Sequence, residues 1–176
     1  MASESVILVD ERDNALGIME KIAAHQLGQL HRAFSVFIFN SKGQLLLQQR
    51  AHDKYHSAGK WSNTCCSHPR PGEQNIEAAK RRLKEEMGLD CELLYGFNFI
   101  YRTTFSNGLC EHEFDHVFFG TTNALPAIDP QEVAAFAYMD LEEINAQLKQ
   151  KPDDYTEWFK ICFERVVEHY LLKEGK

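Results

Sequence analysis

The sequence predicts an α+β fold, or its three-layer form, α/β/α around a mixed sheet. Three observations lead there. Strands and helices mix along the chain without a regular βαβ alternation. Two Gly-containing turns, Asn40-Ser41-Lys42-Gly43 and Ser106-Asn107-Gly108, separate apolar or alternating stretches and mark hairpins. One amphipathic helix, Asn75–Met87, carries Ile76, Ala79, Leu83 and Met87 at spacings of 3, 4 and 4, which define a buried face.

Taken in order, Val6–Val9 is a short apolar strand ending at Asp10, and Asp13-Asn14 is a turn. Gly17–Lys21 resumes an extended partner, and Ile22–Leu27 reads as a short helix. Ala33–Phe39 is apolar on both faces, as a central strand is. Gln44–Gln49 returns from the first hairpin turn and is closed by Arg50. Ala51–Lys60 is a polar loop. The helix Asn75–Met87 stops at Gly88, a plausible residue for the left-handed position after a helix.

Glu92–Thr104 and Leu109–Gly120 are the arms of the second hairpin. Ala124–Glu132 is a Pro-containing loop and Val133–Met139 a strand. Leu141–Leu148 is a helix with Asp140 as N-cap. A last helix follows Pro152, capped by Asp153 or Asp154, with Trp158, Ile161, Cys162, Val166, His169 and Tyr170 on its inner face. No repeat, low-complexity segment or linker divides the chain, so residues 1–176 read as a single domain.

Composition narrows the function. Apolar residues are 44% and charged residues 26%, ordinary for a globular chain. The net charge of −7 disfavours nucleic-acid binding, which needs a basic face. It leaves room for an anionic substrate, because a local cluster of cations or a metal overrides the global sign. Five cysteines, two of them adjacent, make a poor disulfide framework and suit a reducing compartment. The start lacks the cationic and apolar regions of a signal peptide. No apolar run approaches the ~20 residues of a membrane span. A soluble, cytoplasmic protein is expected, either a monomer or a homodimer.

The chemistry concentrates in Trp61–Leu89, where Cys65, Cys66 and His68 precede a Pro/Gly turn and a carboxylate-rich helix. That mixture suits a divalent cation and a phosphorylated ligand. Period two on the strand Leu109–Gly120 puts Glu111, Glu113 and Asp115 on one face and Cys110, His112, Phe114 and His116 on the other. Three acids on an inward face repel one another unless a cation lies between them. His25 and His31 flank Gly28 and converge only if that loop folds back; on their own they read as loop histidines. Lys21, Arg50 and Lys54 read as surface charges by default.

Ser67-x5-Glu73-x7-Arg81-Arg82-Leu83-Lys84-Glu85-Glu86-Met87-Gly88-Leu89 resembles the Nudix box, G-x5-E-x7-R-E-U-x-E-E-x-G-U. Ser67 replaces a glycine and Arg82 a glutamate. In Nudix pyrophosphohydrolases that glutamate belongs to the Mg²⁺ cluster. A guanidinium cannot bind a metal but can bind a diphosphate oxygen. The resemblance thus implies a Nudix-like α/β/α sandwich that binds diphosphate, and argues against hydrolysis.

A second resemblance, to the type I isopentenyl-diphosphate isomerases of the same fold, covers nearly the whole chain. Trp61-Ser62-Asn63-Thr64-Cys65-Cys66-Ser67-His68-Pro69 is similar to that family's W-[TS]-N-x-x-C-x-H-P. His25, His31, Met19-Glu20-Lys21, Gln49-Arg50-Ala51, Phe99-Ile100-Tyr101-Arg102, Glu111-x-Glu113 and Trp158 fall in the family's order.

The implied reaction interconverts isopentenyl and dimethylallyl diphosphate by adding a proton to one alkene carbon and removing one from another. The resemblance implies catalytic roles for Cys66 and for Glu113 with Tyr101, and a cation-stabilising Trp158. It implies a transition-metal ion (Mn²⁺, Zn²⁺ or Fe²⁺) on His25, His31, His68, Glu111 and Glu113, a donor set of that character. It implies Mg²⁺ on Glu86 and the diphosphate, and a diphosphate clamp of Lys21, Arg50, Lys54 and Arg82. Spacing to His68 selects Cys66 over Cys65 by resemblance alone. Two rival readings are a Nudix pyrophosphohydrolase acting on a nucleoside-diphosphate derivative and a zinc module built on Cys66-x-His68 and Cys110-x-His112.

Overall fold

A computed structural model describes residues 4–175. Nine strands form one mixed sheet: β1 (Ser5–Val9), β2 (Ala15–Glu20), β3 (His31–Phe39), β4 (Leu45–Arg50), β5 (Trp61–Ser62), β6 (Cys65–Ser67), β7 (Leu93–Thr104), β8 (Cys110–Thr121) and β9 (Val133–Met139). Four helices accompany them: α1 (Lys21–Leu27), α2 (Asn75–Met87), α3 (Leu141–Gln150) and α4 (Glu157–Glu174). The expected elements are present, most with ends shifted by one or two residues. The two-residue β5 and three-residue β6 are additions that no periodicity announced.

β3 is central, as its two-sided apolar run predicts. Phe34, Val36 and Ile38 face α2, together with Leu83 and Met87 of that helix. Phe37 and Phe39 face α4, where Trp158, Phe159, Cys162 and Phe163 meet them. The sheet is therefore the middle layer of an α/β/α sandwich. β7 and β8 form the long hairpin, and β8 runs parallel to β3 from His31↔Glu113 to Phe39↔Thr121.

The first hairpin departs from expectation. β3 and β4 pair only at Phe39↔Leu45 and then splay, and β4 takes β9 as its partner instead. Thr64 bridges the gap. Its hydroxyl donates to the Leu46 carbonyl at 2.6 Å and accepts from the Ile38 amide at 2.9 Å. The Asn63 amide donates to the Val36 carbonyl at 3.2 Å. β6 wedges against β3 through Ser35↔Cys66 and Val36↔Cys65. This wedge turns consecutive cysteines to opposite faces of the sheet.

Two corrections concern α4. Ile161 is not on its inner face but 52% exposed; Phe159 and Phe163 pack there in its place. The cap position belongs to Thr156, because Asp153 and Asp154 lie in a 3-10 turn, Pro152–Asp154, just before it. Asp140 does occupy the cap position of α3, without a side-chain hydrogen bond to it. Gly88 ends α2 at φ 64°, and a Cβ there would meet the Ala127 carbonyl oxygen at 2.6 Å, so only glycine suits the turn. No helix among the described residues is long and apolar enough to cross a membrane.

Candidate active site

The splay of β3 from β4 opens a pocket, and β8 and the β6 wedge supply part of its wall. Cys66, Tyr101, Glu113 and Trp158 line it, as do Lys21, Arg50, Lys54 and Arg82, with His68, Glu86 and Glu111. His25 and His31 lie beside it, with ring centroids 4.9 Å apart. All the residues that the isomerase resemblance assigns to the site thus converge, although they come from seven segments of chain.

The local reasons are readable. α1 places His25 one turn above Lys21, whose carbonyl accepts a hydrogen bond from His25 Nδ1 at 2.7 Å. The turn at Gly28 then brings the chain back into β3, whose first residue is His31. His31 Nδ1 likewise donates to the Gln29 carbonyl at 2.8 Å. A carbonyl can only accept, so both rings carry their proton on Nδ1 and present a lone pair on Nε2. Both Nε2 atoms are buried without a hydrogen-bond partner. His31 Nε2 stands 3.5 Å from Glu113 Oε1, and His68 Nε2 stands 3.0 Å from the same oxygen.

The lone pair that His31 turns to a carboxylate at this range calls for a cation between them, while His68 Nε2 can also donate to that oxygen. The fit to a metal is therefore good. One ring nitrogen each from His25, His31 and His68 and a carboxylate oxygen of Glu113 all lie within 4.8 Å of one another. A second trio, His25, His56 and Glu111, meets the same limit. Glu111 is thus offset from the foursome toward His56. Burial keeps three of the imidazoles neutral: it lowers His25, and takes His68 down to about 4 and His56 down to about 3.

The acids of β8 share a face as their alternation predicts, and that face points inward. Burial alone would raise Glu113, but a proton shared from His68 Nε2, and from His31 when that ring is doubly protonated, outweighs it and holds the carboxyl well below the usual range. Glu111 goes the other way, raised by burial and by the charge of Glu113. Asp115 is raised for the same two reasons; Ser35 donates to its Oδ2 at 2.7 Å, while Oδ1 is buried without a partner. The Tyr101 hydroxyl donates to Glu113 Oε2 at 2.6 Å and lies 3.2 Å from Glu111 Oε2.

Cys66 opens to the pocket and Cys65 is fully buried against α2. Removal from bulk water pushes the Cys66 thiol up, with Arg50 opposing and Glu86 adding to the shift. Trp158 is fixed by its Nε1 hydrogen bond to Asn63 Oδ1 at 3.1 Å, and the Arg50 guanidinium sits 5.4 Å from its ring.

Three of the four cations are paired with acids; Arg50 instead donates to the His56 carbonyl at 3.3 Å. Lys21 meets Glu4 at 2.7 Å and Lys54 is bonded to Glu132. Arg82 reaches Glu86 at 2.6 Å, Glu85 at 2.8 Å and Glu132 at 3.4 Å. Gln48 donates to the other oxygen of Glu86 at 3.0 Å. The Nudix-box residues Glu73 and Arg81 form a bidentate pair at 2.7 and 2.9 Å that ties the loop to α2.

The zinc-module reading fails here. His112 turns away to bond the Gly28 carbonyl at 3.0 Å, and Cys110 contacts Arg102; no cysteine belongs to either metal-donor group among the described residues. Sequence reasoning missed His56, Gln48 and Glu132. Each lay on a loop or strand end with no periodic signal to single it out.

This fold and box define a NUDIX protein. Residues 29–159 match the NUDIX domain family. A structure of DR0079 from Deinococcus radiodurans shares the fold, with a TM-score of 0.77, 21% identity, and coverage of 92% of this chain and 98% of that one. Sequence relatives are more specific. The chain is 54% identical over 164 residues to "Isopentenyl-diphosphate Delta-isomerase 2" of Aromatoleum aromaticum, covering 93% of this chain and 87% of that protein. It is 52% identical over 170 residues to "Isopentenyl-diphosphate Delta-isomerase" of Pectobacterium atrosepticum, covering 97% and 95%. The chain belongs to the isopentenyl-diphosphate Delta-isomerases of the NUDIX family.

Proposed function

We propose that this protein interconverts isopentenyl and dimethylallyl diphosphate by protonation and deprotonation. The observation that carries the reading is the division of labour in one pocket. A neutral thiol, Cys66, and a tyrosine–carboxylate pair, Tyr101 and Glu113, share it with four cations suited to a diphosphate. Cys65, its chemical twin, is turned into the core.

An unactivated alkene is a weak base, so the proton donor must be held close to it in a dry site. Cys66 keeps its proton at neutral pH because burial disfavours the thiolate. Glu113 keeps its charge and orders the Tyr101 hydroxyl. One of these two centres adds a proton and the other removes one. The Trp158 ring face stabilises the intervening carbocation, worth about 2 kcal/mol when desolvated. Lys21, Arg50, Lys54 and Arg82 bind the diphosphate.

His25, His31, His68 and Glu113 would hold a transition-metal ion, with Glu111 adjoining; Mn²⁺, Fe²⁺ and Zn²⁺ suit these donors. Bound there, the ion would neutralise the buried carboxylates and fix Glu113 beside Tyr101. Glu86 would take a Mg²⁺ carried by the diphosphate. Hydrolysis is disfavoured because Arg82 stands where the box supplies a metal-binding acid, and its guanidinium already grips Glu86.

The test is isopentenyl diphosphate incubated in D₂O with protein and Mn²⁺ and followed by NMR. Deuterium in recovered substrate together with dimethylallyl product is expected. Phosphate release with no allylic product would sink the reading.

A further inference from the structure

His56 lies in the loop between β4 and β5, outside every motif, yet its ring is among the most constrained in the pocket. It stacks on Phe105 with centroids 4.7 Å apart and planes 10° from parallel. Trp158 meets it edge-on at 6.1 Å. Its carbonyl accepts from Arg50 at 3.3 Å. The loop itself is pinned from the β7–β8 turn, where Asn107 donates to the Tyr55 carbonyl at 3.0 Å. So held, His56 Nε2 stands 3.2 Å from Glu111 Oε1. The other oxygen of Glu111 faces the Tyr101 hydroxyl at 3.2 Å. The carboxylate is bracketed on both sides.

The proton placement separates His56 from two of its neighbours. His25 and His31 are forced by backbone carbonyls to carry hydrogen on Nδ1, which leaves Nε2 as a metal donor. His56 Nδ1 faces only the Ser57 hydroxyl, at 3.4 Å. A hydroxyl can donate as well as accept, so His56 is free to carry its proton on Nε2, toward the carboxylate. His56 also stands outside the His25, His31, His68 and Glu113 foursome and joins only His25 and Glu111.

We infer that His56 is a positioning residue of the metal centre: it orients Glu111 from outside and so sets the site's affinity for a transition-metal cation. This rests on the metal centre assigned above. Partners of this kind change metal affinity by about 10- to 100-fold when removed.

The probe is Mn²⁺, titrated into metal-stripped full-length protein against a competing chelator. His56→Phe, which keeps the stack on Phe105, should weaken Mn²⁺ binding about 10- to 100-fold. In a Glu111→Gln background the same change should add less than about twofold, since His56 acts through that carboxylate. Pulsed EPR of bound Mn²⁺ should count the same number of histidine nitrogens with and without His56→Phe.

Wild-type affinity in His56→Phe overturns the inference, as does loss of one coordinated nitrogen, which would make His56 a ligand. An undiminished effect in the Glu111→Gln background also overturns it. Should His56→Phe fail to fold, His56→Gln, which retains a donor, must bind Mn²⁺ near the wild-type level. His31→Ala separates the two levels: if it leaves Mn²⁺ binding intact, the metal centre itself is wrong. If it abolishes binding while His56→Phe does not weaken it, only His56 is.

Discussion

Replacing Glu113 by glutamine tests the centre at its most connected residue. The carboxylate serves both sides of the site: Oε1 faces His68 at 3.0 Å and His31 at 3.5 Å, and Oε2 accepts from Tyr101 at 2.6 Å. A glutamine side chain keeps the Tyr101 bond with its carbonyl oxygen and aims its NH₂ at the imidazole lone pairs, which accept it. The metal-free fold should therefore hold, with Tm within about 2 °C of wild type.

Metal binding should not survive unharmed. Wild type at a thousandfold over Kd gains about 4.1 kcal/mol from the cation. At about 2–4 °C per kcal/mol for a chain this size, Tm rises by about 8–16 °C. A hundredfold loss of affinity leaves about 1.4 kcal/mol at the same metal concentration, or about 3–6 °C. Isomerisation should drop by about 10²–10⁴, the share of a lost acid–base group. Calorimetric melts of both proteins with and without Mn²⁺ read all of this except the rate, which the D₂O assay supplies. A Glu113→Gln protein stabilised by Mn²⁺ as strongly as wild type would refute the donor set.

The twin cysteines should separate cleanly. Cys66→Ala should abolish isomerisation with a wild-type melt, while Cys65→Ala should keep most turnover and lose about 1 kcal/mol of stability in urea titrations. Glu132 pairs with both Lys54 and Arg82, the proposed diphosphate ligands, and would have to be displaced by that group. Glu132→Gln should lower KM severalfold with kcat unchanged in steady-state assays; a raised KM would assign Glu132 to the diphosphate's Mg²⁺.

The last prediction concerns acid. Burial takes His56 from 6.5 down to about 3, so the unfolded chain binds its proton between those values and the native chain does not. Its stability contribution is complete above pH 6.5 and is lost as pH falls toward 3. Between pH 7.5 and 5, metal-free wild type should lose about 2 kcal/mol relative to His56→Phe, at 1.36 kcal/mol per pH unit below 6.5. Urea melts at the two pH values measure it, and a constant difference would show that His56 is not held neutral.

Local pattern carried most of the fold into the sequence. α2 was legible at both ends because one apolar stripe and one glycine define it, and the two hairpin turns declared themselves. Pairing between distant strands was not legible. Nothing near β3 announces its parallel partner, and the run Leu45–Leu47 fits β9 as well as it fits β3. Ile161 misled because an apolar residue beside a helical stripe carries no sign of which side faces out. At the site, the shared face of Glu111, Glu113 and Asp115 was readable from period two alone, though not that it points inward. The histidine donors and the clamp came through resemblance, since their meeting depends on loops folding back. His56 and Glu132 escaped both routes.

Arg82 joins these two kinds of legibility. Its place in the box is a matter of helix register, one position before the apolar Leu83, and so was fixed by sequence. Its meaning is a matter of charge in three dimensions. A glutamate there would face Glu85 and Glu86 and require metal to relieve the repulsion. The arginine instead neutralises Glu86 and Glu85 and reaches Glu132, so the helix is already balanced. What remains uncompensated is the buried row on β8, with its lone-pair-bearing imidazoles. The substitution at one helical position relieves the repulsion on α2 without a resident ion, leaving Glu86 for the Mg²⁺ that a diphosphate would bring, and a resident metal ion would be called for across the pocket, on β8 and α1.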